Sequence, residues 1–358
     1  MIGIKTPRRR AEMCLHRAMQ FAVLAGVVTA LAAPLQSQAQ EKVLNLYSAR
    51  HYQTDEALYS DFTKQTGIKI NRIEAGDEQL LQRLKAEGAN SPADVLILVD
   101  AARLWRAQID GLFQPVDSKL LNERIPAQLR SNDGTWYGFS TRARAIVYNK
   151  ATVKPEDVDT YEELADPKNK GKVCTRSGSH PYMLSLIGSR IEVMGEARAE
   201  QWAKGIVSNM ARPPSGGDTD QIKAVAAGEC GVALTNTYYW VRLMRSSDPK
   251  DQEVVSKVGF IWPNQSTSGA HVNIAGGGVA KNAPNRANAI AFLEYLASPS
   301  AQTYFANGNN EFPVAKGATL NNPALSSLGS FKQEQIAVST MGKNTIAAQR
   351  ILDRVSYK

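Results

Sequence analysis

Two tyrosines stand side by side at Tyr238 and Tyr239, in the run Val-Ala-Leu-Thr-Asn-Thr-Tyr-Tyr-Trp, and another pair of donors, His51 and Tyr52, lies far upstream. Phenolate oxygen is a hard, anionic donor. It suits a small trivalent cation such as ferric iron better than zinc or copper, which lean toward imidazole and thiolate. The same tyrosines would equally make an ordinary half-buried aromatic pair. What separates the two readings is the set of elements that would position these residues.

The chain opens with Lys5, Arg8, Arg9, Arg10 and Arg17, then an apolar run from Phe21 to Ala33 and the small-residue step Ser37-Gln38-Ala39. This is the pattern of a secretory leader, with cleavage expected after Ala39 and delivery of residues 40–358 to the periplasm. The run is short for a membrane span. The triple arginine fits either a twin-arginine leader or the ordinary charged region of a general one. Cys14 precedes the apolar run, so no lipid-anchor cysteine is evident. Loss of the five basic residues and Glu12 lowers the formal net charge from +8 to +4. A mildly basic exported chain without an aromatic-laced Lys/Arg stripe is not a nucleic-acid binder. Two cysteines then remain, Cys174 and Cys230, without Cys-x-x-Cys spacing. In an oxidising compartment they are expected either to form one bridge or to stay as two small buried thiols.

Residues 40–358 exceed what one core usually holds, so two lobes are expected. Val43 to Leu46 reads as a strand, and a helix starting at Thr54-Asp55-Glu56 buries Ala57, Leu58 and Phe62 before Gly67. Ile68 to Ile73 reads as a second strand, Asp77–Glu87 as a helix stopped by Gly88, and Ala93 to Val99 as a fully buried strand. This βαβαβ order predicts a parallel sheet. A second α/β stretch follows Trp136-Tyr137-Gly138. It includes the strands Ala143 to Tyr148, Lys172 to Thr175 and Gly231 to Leu234. Gly259 to Trp262 and then Val272 to Val279 are expected to lead back to the first lobe, and helices from about Asn285 close the chain.

Ligands of open parallel sheets bind beyond the carboxyl ends of the strands. His51 and Tyr52 follow the first strand, Tyr182 follows Lys172 to Thr175 through Arg176-Ser177-Gly178-Ser179-His180-Pro181, and Tyr238-Tyr239 follow Gly231 to Leu234. Adjacent tyrosines on a regular strand would face opposite ways, so Tyr238 and Tyr239 need a turn or helix start, with Asn236 and Thr237 as candidate caps.

The segments Leu46-Tyr47-Ser48-Ala49-Arg50-His51-Tyr52, Ala93 to Ala101, Thr141 to Asn149 and Thr235-Asn236-Thr237-Tyr238-Tyr239 resemble the bacterial periplasmic ferric-iron-binding proteins of ABC importers. The resemblance spans the mature chain and lies closest to the tyrosine-rich subgroup. It implies an α/β, two-lobed type II periplasmic-binding fold, shared with the transferrin lobes, in which each lobe is a mostly parallel sheet flanked by helices. The lobes would be 40–141 plus about 263–318, and 142–262 plus about 319–358. It further implies one Fe3+ in the interlobe cleft, held by His51, Tyr52, Tyr182, Tyr238 and Tyr239. The partners implied are an inner-membrane permease and its ATPase, and a monomer is expected. Other members use a glutamate of the N-terminal lobe with carbonate or phosphate. Here that loop reads Val99-Asp100-Ala101, and Asp100 is expected to hold a helix start.

Four phenolates and an imidazole form a shell that prefers three positive charges to two. A free phenol titrates near pH 10, so the metal must displace protons and affinity falls with acidity. Arg142 or Arg144 is a candidate to stabilise a tyrosinate or an anion, the alternative being a salt bridge across the lobes. Ser177 in its Ser-Gly-Ser turn is a candidate anion nest, and His180 a candidate support for Tyr182. Tyr47 is a spare ligand, while His271 and Gly276-Gly277-Gly278 serve loop structure and tight strand packing. A receptor for a small organic or oxyanionic solute on the same fold is the alternative function. A secreted metal-dependent hydrolase is disfavoured, because the chain has no His-Glu-x-x-His, no Gly-x-Ser-x-Gly and no convincing carboxylate pair.

Overall fold

A computed structural model describes residues 2–3, 42–50, 52–315 and 317–358. The expected leader with Cys14 and Ala39, and also His51, lie outside the described residues. Nine strands form along residues 42–358: β1 (Val43–Ser48), β2 (Lys69–Glu74), β3 (Val95–Leu98), β4 (Tyr137–Asn149), β5 (Val173–Cys174), β6 (Val232–Asn236), β7 (Val258–Ile261), β8 (Val272–Val279) and β9 (Phe312–Pro313). Their order is β2-β1-β3-β8-β4-β6-β5, with β7 and β9 also paired to β4. Among the helices, α1 (Asp55–Thr66) follows β1, α2 (Asp77–Glu87) follows β2 and α3 (Ala101–Ile109) follows β3. In the second half α4 (Pro181–Met194) follows β5, and α5 (Asp218–Ala227) and α6 (Thr237–Met244) flank β6.

The central strand β3 is buried on both faces, which is why Val95–Leu98 reads as an unbroken apolar run. Alternation along β3 sends Val95 and Ile97 into one core layer, with Leu44, Leu46 and Phe292. Leu96 and Leu98 enter the opposite layer, with Leu80, Leu104 and Trp136. In the second half Ile146, Val173 and Leu234 face Trp202 and Ile351. Val147, Ala233 and Cys174 face Ile222 and Trp240. Cys174 and Cys230 form a disulfide within that last layer.

The expected parallel pairing is found for β1 with β2 and β3, and for β5 with β6. The strands that join the halves run antiparallel, because a chain that crosses must also return. Residues Tyr137–Ala143 of β4 pair with β8, and Arg144–Tyr148 of the same strand pair with β6. One strand therefore changes partners between Ala143 and Arg144. The reading of Gly259 to Trp262 as part of the return to the first lobe needs correction, whereas the bound at 262 does not: β7 pairs with Ile146–Asn149 in the second half. The return is made only at β8, after reversals at Asn264 (φ 58°) and Gly269 (φ 89°). In β8 the glycines allow close approach, since a Cβ on Gly277 would stand 2.5 Å from the Leu96 carbonyl oxygen and one on Gly276 2.5 Å from that of Tyr137.

Candidate metal centre

Helix starts aim three of the tyrosines. The sequence Ser-His-Pro-Tyr starts α4 with Pro181 in its first turn, where a missing N–H costs nothing. His180 caps it, its Nδ1 accepting from the Tyr182 backbone N–H at 3.2 Å. Tyr238 and Tyr239 occupy the first turn of α6, immediately after β6. Helical rotation replaces the strand's alternation, so the two rings stand side by side with centroids 4.2 Å apart. The expected side-chain cap from Asn236 is absent. Its Oδ1 instead accepts from Arg144 Nη1 at 3.2 Å, and its backbone N–H donates to Asp218 Oδ2 at 2.7 Å.

The four described candidate tyrosines converge. The hydroxyls of Tyr182 and Tyr238 are hydrogen-bonded at 2.9 Å, and Tyr52 meets Tyr238 edge-on with ring centroids 6.3 Å apart. Beside them a cleft of about 420 Å³ is lined from the first half by Ala49, Arg50, Glu74 and Asp77, and from the second by Arg176, His180, Tyr182 and Tyr239. Among the described residues no group of three or more His, Cys, Asp or Glu side chains is placed to hold a metal.

Burial keeps the phenols protonated, so a cation bound here would have to displace their protons. Burial pushes the Tyr182 phenol up to about 12, with Arg142 opposing. Burial likewise raises Tyr52 and Tyr238, reinforced at Tyr52 by Glu311 and at Tyr238 by Tyr182. Three guanidinium groups surround the Tyr182 ring, those of Arg142 and Arg144 each 5.9 Å and that of Arg176 5.3 Å from its centroid. Burial works against the Arg142 charge, but Tyr182, Glu311, Tyr238 and Tyr52 outweigh it and raise its pKa. Arg142 is 1% exposed, and its Nε and Nη1 have no hydrogen-bond partner among the described residues. A buried donor left so is costly unless anionic oxygen answers it.

The other candidates divide. Arg144 is committed to Asp218 at 2.6 Å, a pairing within the second half. Ser177 folds back onto Ser179, with hydroxyl oxygens 3.0 Å apart, and does not line the cleft. His180 packs edge-on against Tyr182 with ring centroids 4.4 Å apart, and burial followed by the Arg176 charge pushes its pKa down to about 3. Tyr47, the spare ligand, donates to Glu87 at 2.8 Å and packs in the first-half core. Asp100 caps α3 as expected, accepting from Ala102 N–H at 2.8 Å. Sequence reasoning missed Asp218, which supports Arg144 and the start of α6. It also missed Arg50, Arg176 and Arg242, whose guanidinium lies 5.4 Å from the Tyr239 ring centroid. Arg50 directly precedes His51 and Arg176 shares the Tyr182 loop, so adjacency was the available signal.

Comparison with known proteins gives the family. The family model for bacterial extracellular solute-binding proteins matches residues 57–332. The chain is 50% identical to iron uptake protein A1 of Synechocystis over 319 residues, 89% of this chain and 88% of the relative. A Trichodesmium FutA (IdiA) structure in complex with iron and citrate ligands superposes with a TM-score of 0.84 at 56% identity, covering 88% of this chain and 100% of that one. A ferric binding protein from Campylobacter jejuni gives a TM-score of 0.84 at 41% identity, with 88% and 100% covered. With a two-lobed fold of the type II periplasmic-binding class and a cluster of tyrosines at the ends of its strands, the chain belongs to the bacterial extracellular solute-binding proteins, in the branch of the iron uptake A and ferric-binding proteins.

Proposed function

We propose that this protein binds one ferric ion between its two halves and delivers it to an inner-membrane ABC permease and ATPase. It is a periplasmic binding protein and not an enzyme, as its family membership indicates. The observation that carries the ferric reading is the convergence of Tyr52, Tyr182, Tyr238 and Tyr239 beside the unanswered donors of buried Arg142. His51 completes the proposed ligand set, with lobes at 40–141 plus about 263–318 and 142–262 plus about 319–358. Cleavage after Ala39 releases the mature chain, which acts as a monomer. Tyr182, Tyr238 and Tyr239 stand together before iron arrives, and His51 and Tyr52 join them on closure. Untouched affinity after substitution of His51 and Tyr52 would end that closure model.

A titration of the mature protein with ferric citrate at neutral pH, followed by visible absorption, tests the proposal. A tyrosinate-to-iron band saturating near one ion per chain is expected, with its loss in Tyr238→Phe/Tyr239→Phe. A colourless wild type that binds no iron would hand the site to the organic or oxyanionic solute.

A further inference from the structure

Tyr52 differs from its three partners in lying outside regular structure, between β1 and α1, where its carbonyl accepts from the Asp55 N–H at 3.0 Å. Its ring lies among side chains. Arg50 is 4% exposed. Its guanidinium forks onto Asp55 in the first turn of α1, Nε to Oδ2 at 2.9 Å and Nη2 to Oδ1 at 3.2 Å, while Nη1 donates to Glu311 Oε2 at 3.1 Å. Both carboxylates are themselves held: Asn309 Nδ2 donates to Asp55 Oδ1 at 2.8 Å, and Ser140 of β4 donates to Glu311 Oε2 at 2.8 Å. The guanidinium also lies against two rings, 5.0 Å from the centroid of Tyr52 and 4.9 Å from that of Phe305.

Burying one cation with two carboxylates is a poor route to stability, since apolar side chains of the same volume commonly do as well. What the arrangement supplies is geometry. A planar fork with two bonds to Asp55 and one to Glu311 has a single orientation, and the ring stacked on it inherits that orientation. The fork also ties residue 50 to residue 55, closing a short loop of chain with Tyr52 inside it. Through Glu311 and Ser140 the same group is tied to β4, the strand that passes into the second half.

We infer that Arg50 is a positioning residue that fixes the Tyr52 ring toward the second-half tyrosines, an inference that rests on the ferric reading for its purpose. The metal-free mature protein, with Arg50→Lys and Arg50→Gln variants, tests the positioning without iron. Amide hydrogen exchange over residues 52–55 should quicken at least about tenfold in both variants, with β6 and α6 unaltered. Unchanged protection of residues 52–55 would overturn the inference. If Arg50→Gln fails to fold, Arg50→Lys, which keeps the charge and loses the fork, answers the question alone. Titration with ferric citrate then reads the purpose. Arg50→Lys should weaken iron binding about 10–100-fold, as loss of a ligand's outer partner does. In a Tyr52→Phe background the same change should cost less than about threefold, because the two act through one group. Full additivity would mean that Arg50 does not act through Tyr52. Quickened exchange in a protein whose wild type binds no iron would support the positioning and overturn the ferric reading.

Discussion

The two halves of the molecule bring tyrosine to the cleft by different means. In the second half Tyr182 and the Tyr238-Tyr239 pair sit in the first turns of α4 and α6, so backbone hydrogen bonding sets their directions. Behind them Asp218, fully buried, accepts from both Arg144 and the Asn236 backbone, which joins β4, α5 and the start of α6. In the first half Tyr52 precedes α1, its carbonyl accepting from the Asp55 N–H at 3.0 Å, and its ring lies against Arg50, which Asp55 and Glu311 hold. A wall built on helix starts is rigid and local. One built on a side-chain tie depends on residues as distant as Asn309 and Ser140. This asymmetry suits a receptor in which one half holds a prepared site and the other completes it.

The comparison is open to test, starting with the largest effect. Asp218→Asn leaves Arg144 buried without its counter-ion and should cost about 3–5 kcal/mol of stability in urea unfolding. A loss below about 1 kcal/mol would show that this pair does not support the second-half wall. Tyr182→Phe should weaken ferric binding by more than about 100-fold, beyond what loss of an outer partner costs. Equal losses in Tyr182→Phe and Tyr52→Phe would erase the asymmetry.

Acidity provides the next test. Tyr182 near 12, with Tyr52 and Tyr238 also raised, is protonated at neutral pH, so binding releases protons and acid opposes it. Apparent affinity should fall roughly tenfold per pH unit for each proton displaced as the pH drops from 8 to 5. His180, pushed down to about 3, stays neutral across that window and adds no slope. An affinity independent of pH would rule out phenolate ligation. The smallest effect is expected at Tyr47→Phe, which loses its bond to Glu87 for about 1 kcal/mol and leaves the iron band unchanged.

Much of the fold was legible because local signals agreed. The helix Asp77–Glu87 has the expected bounds, with its stop at Gly88, and β8 spans Val272–Val279 as read. The strand β5 falls inside the run read at Lys172 to Thr175, whereas the helices between it and β7 carried weaker periodicity and were read only as part of an α/β stretch. The assignment of Gly259 to Trp262 failed because pairing partners are not encoded in the strand itself. An apolar run of four residues suits either sheet, and packing against Val147 and Ile146 decided it.

For the centre, residue type and strand-end placement selected Tyr52, Tyr182, Tyr238 and Tyr239, and with them the hard, anionic character of the donor set. Those are properties of local chemistry and element order, which the sequence alone determines. Tertiary structure decided the charges around them: which arginine is paired, which is left facing the phenols, and what holds Tyr52. Arg142 and Arg144 are two residues apart on one strand and look alike in sequence. Asp218, 74 residues beyond Arg144, pairs with Arg144 Nη1, while Arg142 Nε and Nη1 find no partner among the described residues. Long-range partners of that kind depend on where the folded chain brings distant segments together, and no local pattern carries that information.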